Sequence, residues 1–99
     1  MLQVVKGDVF EFVIMLCRID PIVIEKVIFQ SKDLGLELQA EQEEDIYRIR
    51  ILGERTKEFK IGFAKYDIMV VLIDGERITV KHNDKIEVLN KATSEVRNE

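Results

Sequence analysis

The sequence contains no tryptophan and only one cysteine, one proline and one histidine in 99 residues, with five glycines. A lone cysteine excludes an internal disulfide. With a single histidine, zinc binding and paired acid–base chemistry lack their usual partners. Apolar runs such as Phe12 to Cys17 stop far short of the roughly 20 residues a spanning helix requires. Asp8 and Glu11 interrupt the first 20 residues, where an export signal needs an unbroken apolar stretch. The chain therefore reads as cytoplasmic when made, with neither signal peptide nor membrane span. A basic face is also missing: the net charge is -4, and its 19 acidic and 15 basic residues are interspersed. Lys57, Lys60 and Lys65 are the nearest approach to one, which argues against a nucleic-acid partner.

What is present is an ordinary globular composition, 46% hydrophobic and 34% charged, at the length of a single domain. A chain of this size buries roughly 60 to 68 per cent of its unfolded surface, enough for one core. Turn signals at Gly7-Asp8, Asp20-Pro21, Asp33 to Gly35, Gly53, Gly62 and Asp74-Gly75 separate short segments rich in Val, Ile, Phe and Tyr. Phe10, Phe12, Ile14 and Leu16 form one apolar face. Leu36, Leu38 and Ala40 alternate with Glu37, Gln39 and Glu41, and Tyr47, Ile49 and Ile51 alternate with Arg48 and Arg50. This is the two-residue period of half-buried strands. Over 22 to 31 the parity is ambiguous, because Val27 and Phe29 compete with Ile24 and Ile28 for the inward face.

Strands are expected near 2 to 6, 9 to 17, 22 to 31, 35 to 41, 45 to 51, 64 to 73 and 76 to 89, with at most a short helix in 53 to 60. Such a profile predicts an all-β, immunoglobulin-like antiparallel β-sandwich of about seven strands. It spans residues 1 to 91, and residues 92 to 99 form a disordered tail. The hairpin "FAKYDIMVVLIDGERITVKH" has two registers. A two-residue loop at Asp74-Gly75 sets Ile68 beside Lys81 and Val70 beside Thr79, mixing apolar with polar. A three-residue loop with Gly75 left-handed in a bulge sets Val70 against Ile78, Ile68 against Val80 and Tyr66 against His82. Asp67 then faces Lys81. Burying a misplaced core residue correctly is worth ~1.5 to 3 kcal/mol, more than any cross-strand charge pair, so the bulged loop is predicted.

The stretches "VVKGDVFEFVIML", "IEKVIFQSKDL", "YRIRILGERTKEFKIGFAKYDIMVV" and "ITVKHNDKIEVLNKAT" contain an ordered set of features. These are Gly7 and Asp8, Phe29 and Lys32, Thr56, Gly62, Tyr66 and Asp67, and Thr93. The set resembles the immunoglobulin-like domain of phage and prophage baseplate or tail proteins, best known as the N-terminal module of upper baseplate proteins. Ala64 stands where the family usually has an aromatic, and Asp84 where it has a glycine. The resemblance implies a non-enzymatic structural or adaptor module with no cofactor, associated with the virion. Its partners would be other tail or baseplate proteins, or a second copy of itself.

Chemistry-bearing residues offer competing readings. His82 could act as a base or ligand, but the register places it at the end of the core beside Tyr66. Cys17 ends a strand next to Arg18, with no base in view to make it a nucleophile. Glu41, Glu43, Glu44 and Asp45 share one turn that lacks the glycine bend of a calcium loop. They read as a solvated hairpin. Strand parity turns Val13, Met15 and Cys17 away from the core, and likewise Met69 and Val71. Exposed apolar patches of this kind mark contact surfaces, so Val13, Met15, Met69 and Val71 are the candidate interface. A small β-barrel binding nucleic acid or a peptide is the alternative. An enzyme using His82 with Cys17 or the 41 to 45 carboxylates ranks last.

Overall fold

A computed structural model describes residues 1–90. Its strands are β1 (Leu2–Val5), β2 (Phe10–Met15), β3 (Ile24–Ser31), β4 (Leu36–Gln39), β5 (Glu41–Glu43), β6 (Ile46–Ile51), β7 (Gly62–Leu72) and β8 (Arg77–Leu89), with a one-turn helix α1 (Gly53–Thr56). They form two sheets, a five-stranded one ordered β1-β8-β7-β3-β4 and a three-stranded one ordered β2-β6-β5. All pairs are antiparallel except β1 with β8. This is the expected all-β sandwich of two sheets. The tail expected over 92–99 lies outside the described residues.

The strand expected over 35 to 41 divides in two. Leu36 and Ala40 face the core as the alternation requires. The Ala40 N–H bonds to the Val27 carbonyl at 2.8 Å, and the chain then leaves β3 to pair with β6. Eight strands thus replace the expected seven. The strand expected from 22 begins instead at Ile24. Residues Pro21–Val23 form a 3-10 turn, capped by Asp20, whose Oδ1 accepts from the Ile22 N–H at 3.1 Å. Proline at the first helical position and Asp at the cap favour that turn over extended chain.

Within β3 the pairing with β7 slips between Ile24 and Lys26. The extra residue, Glu25, reverses the parity, so Ile24 joins Val27 and Phe29 inside while Ile28 is left half-buried. The core is then threaded by an aromatic series. Phe10 and Phe12 lie 5.4 Å apart, Phe12 meets Phe29 edge-on at 5.7 Å, and Phe29 stacks on Tyr66 at 5.2 Å. It runs from β2 of one sheet to β3 and β7 of the other, each pair adding about 0.5–1.5 kcal/mol beyond area burial.

At the turn, the β7–β8 hairpin takes the bulged register. Gly75 has φ +91, Val70 faces Ile78 and Met69 faces Thr79. Two further slips follow down the hairpin. Ile68 pairs with Lys81, leaving Val80 extra, and Tyr66 pairs with Asp84, leaving His82 and Asn83 opposite Asp67 alone. Asn83, at φ +51, supplies the left-handed residue of that bulge, which asparagine tolerates better than most. The expected pairings of Ile68 with Val80, Tyr66 with His82 and Asp67 with Lys81 therefore fail. Two bulges keep Ile68 and Tyr66 inside while letting β8 follow the sheet twist.

Thr56, fully buried, holds one end of the sandwich. Its hydroxyl accepts from the Gly7 N–H at 3.0 Å and donates to the Asp8 carbonyl at 2.7 Å, with the Gly53 carbonyl at 3.2 Å. Gly53 sits so close to the Gly7 carbonyl that a Cβ there would collide with it. Replacing Thr56→Val keeps the shape but removes the hydroxyl from two part-buried hydrogen bonds, and should cost about 1 kcal/mol. Urea unfolding of wild type and variant measures this; equal stability would mean that water replaces the hydroxyl.

Candidate functional site

Among the described residues β2 is an edge strand, paired only with β6. Its alternation sends Phe10, Phe12 and Ile14 inward and Glu11, Val13 and Met15 outward. Val13 is 45% and Met15 68% exposed. Around them the outer face of the small sheet carries ion pairs. The Arg48 guanidinium reaches Glu11 at 3.3 Å and Glu43 at 3.1 Å, and Arg50 reaches Glu11 at 3.9 Å. These groups are half in water and contribute about 0.2–1 kcal/mol each at most. They frame the two apolar side chains with charge.

The other half of the expected contact face differs. Met69 is half-buried and Val71 only 5% exposed. Their outward parity holds, but β7 is an interior strand. Lys26 and Arg77 flank Val71 in register, and Ile28 and Thr79 flank Met69. Long aliphatic stems on both neighbours cover such a residue, whereas an edge strand has a neighbour on one side only. The candidate surface is thereby confined to Val13 and Met15.

His82 is not at the core's end. Its side chain is 72% exposed, with Nδ1 3.3 Å from Asp67 Oδ1, because the Asn83 bulge turns it outward. The same Asp67 oxygen accepts from the Asn83 N–H at 2.7 Å. Cys17 lies exposed in the bend after β2, beyond the strand it was expected to end. Glu41, Glu43, Glu44 and Asp45 are all exposed around the β5–β6 turn, where Glu44 has φ +54. Lys57 and Lys60 follow α1 and Lys65 lies on β7 with Lys85 as its register partner. Among the described residues no three His, Cys, Asp or Glu side chains are grouped to hold a metal ion.

Sequence reasoning missed a groove of about 450 Å³ where the free edge of β2 faces β8. Phe12, Leu16, Ile68 and Val80 form its apolar part, and Tyr66, Lys81 and Asp84 its polar end. The Tyr66 hydroxyl donates to Asp84 Oδ2 at 3.2 Å, and Lys81 Nζ lies 3.5 Å from the same oxygen. Burial, with the Asp84 charge beside it, pushes the Tyr66 phenol up to about 12. Asp84 is held below the ordinary carboxylate value, chiefly by the Lys85 N–H, with help from Tyr66 and Lys81. Burial also raises Tyr47. The run His82-Asn83-Asp84 in an otherwise strand-like stretch was the available signal, since such a polar break marks a bulge.

No family model and no curated protein matches the chain. A solved structure from Bacteroides vulgatus ATCC 8482, named provisionally as a glycoside hydrolase, is similar at 15% identity and a TM-score of 0.46. The likeness covers 91% of this chain and 16% of that one, so this chain spans about a sixth of its length. A likeness that slight transfers no activity.

The Tyr66 contact sets a pH dependence. Its folded pKa lies above the free value near 10, so its stabilisation is intact below about 10 and is lost as pH rises towards about 12. Asp84 acts in the opposite sense, adding stability above roughly pH 4 that fades as its depressed pKa is approached from above. In Tyr47→Phe protein, tyrosinate absorbance should rise near pH 12, and adding Asp84→Asn should lower that midpoint. A midpoint that Asp84→Asn leaves unchanged would overturn the Tyr66–Asp84 contact.

Proposed function

We propose that this chain is a non-enzymatic structural or adaptor module of a phage or prophage tail or baseplate, acting through protein–protein contacts. The observation that carries the reading is the pairing of a resemblance with a surface. Residues that give the resemblance, Gly7, Asp8 and Thr56, are the ones joined by the buried hydroxyl. Val13 and Met15, by contrast, stand exposed on an edge strand. Of the family's departures, Ala64 is buried opposite Ile86, and Asp84 belongs to the bulged pairing with Tyr66.

A nucleic-acid-binding reading has one observation in its favour. Phe63 is exposed, and Lys85 Nζ lies 6.0 Å above its ring, with Lys65 in register beside Lys85. Against it, Phe10, Phe29 and Tyr47 are committed to the core, and the net charge is -4. Salt-sensitive retention of labelled single-stranded DNA that Phe63→Ala abolishes would support this second reading.

The tail reading is tested on gradient-purified particles from an induced lysate by quantitative mass spectrometry. The chain should band with the particles at a fixed ratio to the major tail protein. Its confinement to the soluble fraction would overturn the assignment.

A further inference from the structure

Edge strands present unpaired backbone groups, and proteins usually blunt them with shortness, charge or bulges. Most free edges here are blunted in those ways. β1 has four residues and β5 three; β4 carries Glu37 and Gln39 outward. Beyond its short pairing with β1, β8 carries Arg77, Lys81, His82 and Lys85 and bulges at Asn83. β2 is blunted least, by the single charge of Glu11 near its start. It is six residues long, unbulged against β6, and apolar on both faces from Phe12 to Cys17. Among the described residues no turn or loop backbone group bonds to residues 10–17.

We propose that β2 pairs antiparallel with β2 of a second copy, joining two three-stranded sheets into one across a two-fold axis. Two features of the strand select this occupant. The first is self-complementarity. A two-fold axis perpendicular to the sheet keeps the inner faces on one side, so only residues of like parity can pair. Centred on Ile14, it sets Ile14 against its own mate, Phe12 against Leu16, and Val13 against Met15, so every one of these pairs is apolar. Centring on Val13 sets Glu11 against Met15, and centring on Met15 leaves no other pair within the strand, which ends there. The second feature is charge. Glu11 lies near the start of β2, and Cys17 and Arg18 lie in the bend beyond its end, so antiparallel pairing brings Glu11 of each copy towards the bend that carries Cys17 and Arg18 of the other. A parallel pair would stack like on like.

On its inner side the contact continues over the groove lined by Phe12 and Leu16. A single six-residue edge buries less than the roughly 1,600 Å² of a standard interface, so the dimer is weak and reversible. It gives the contact module proposed above its first partner, and rests on that reading.

Sedimentation velocity over a wide concentration range tests the pairing. Wild type should pass from monomer to dimer. The double variant Val13→Lys with Met15→Lys, altered only at exposed positions, should raise the dissociation constant on the order of tenfold or more, because each lysine enters a symmetric contact twice. Its circular dichroism and melting should stay as in wild type. Ile73→Lys, exposed on the β7–β8 turn, should leave association unchanged. In Glu11→Cys protein, mild oxidation should link the introduced thiol to Cys17 of the other copy, read by peptide mass spectrometry. Wild type that stays monomeric at every soluble concentration overturns the proposal. So does a dimer indifferent to the lysines, or crosslinks of Cys17 to Cys17 alone. A monomer that still bands with phage particles would sink the dimer and leave the tail assignment standing.

Discussion

One buried hydroxyl joins two of the places where the chain passes between sheets. The turn after β1 carries the chain from the large sheet to the small one, and α1 returns it from β6 to β7. Thr56 bonds one crossing to the other, through Gly7, Asp8 and Gly53. The close approach of Gly53 to the Gly7 carbonyl leaves no room for a side chain. Because those connections are fixed, the sheets meet at a set spacing, and the aromatic series from Phe10 to Tyr66 can interlock between them. A satisfied polar contact of this kind specifies the arrangement more sharply than burial alone, since apolar faces tolerate sliding and a hydroxyl with defined partners does not.

Edges and bulges then decide what the outside presents. On interior strands an outward apolar residue such as Val71 is roofed by its neighbours; on β2 Val13 and Met15 have only β6 beside them. Identical parity thus means concealment on an interior strand of the large sheet and accessibility at the rim of the small one. At Asn83 a left-handed residue rotates His82 into solvent and brings Asp84 over the Tyr66 hydroxyl. One extra residue opposite Asp67 therefore determines which titratable groups meet.

Alternation made much of this legible. The inward faces of β2, β4 and β6 follow directly from their two-residue period, and Gly75 marked the bulged hairpin loop. Where the reading failed, an irregularity of a single residue was responsible. Glu25 resolves the competition in β3 by letting both parities point inward in turn, an outcome no uniform period describes. Val80 and the His82–Asn83 pair shift β8 in the same way. Alternation reports which side a residue faces, but exposure depends on position in the sheet, a long-range property that placed Val71 wrongly. The groove beside β2 lay beyond sequence reasoning because it is bounded by strands far apart in the chain.

The pairing of β1 with β8 has a mechanical side. These strands run parallel, joined over Leu2–Val5 against residues 86–89 and extended by the Lys6 N–H to the Leu89 carbonyl at 3.0 Å. Tension applied to the start of β1 and the end of β8 in opposite directions runs along both strands, across their hydrogen bonds. The bonds are then loaded together in shear rather than opened one after another like a zipper. Such a pair resists end-to-end tension along the chain through all of its bonds at once.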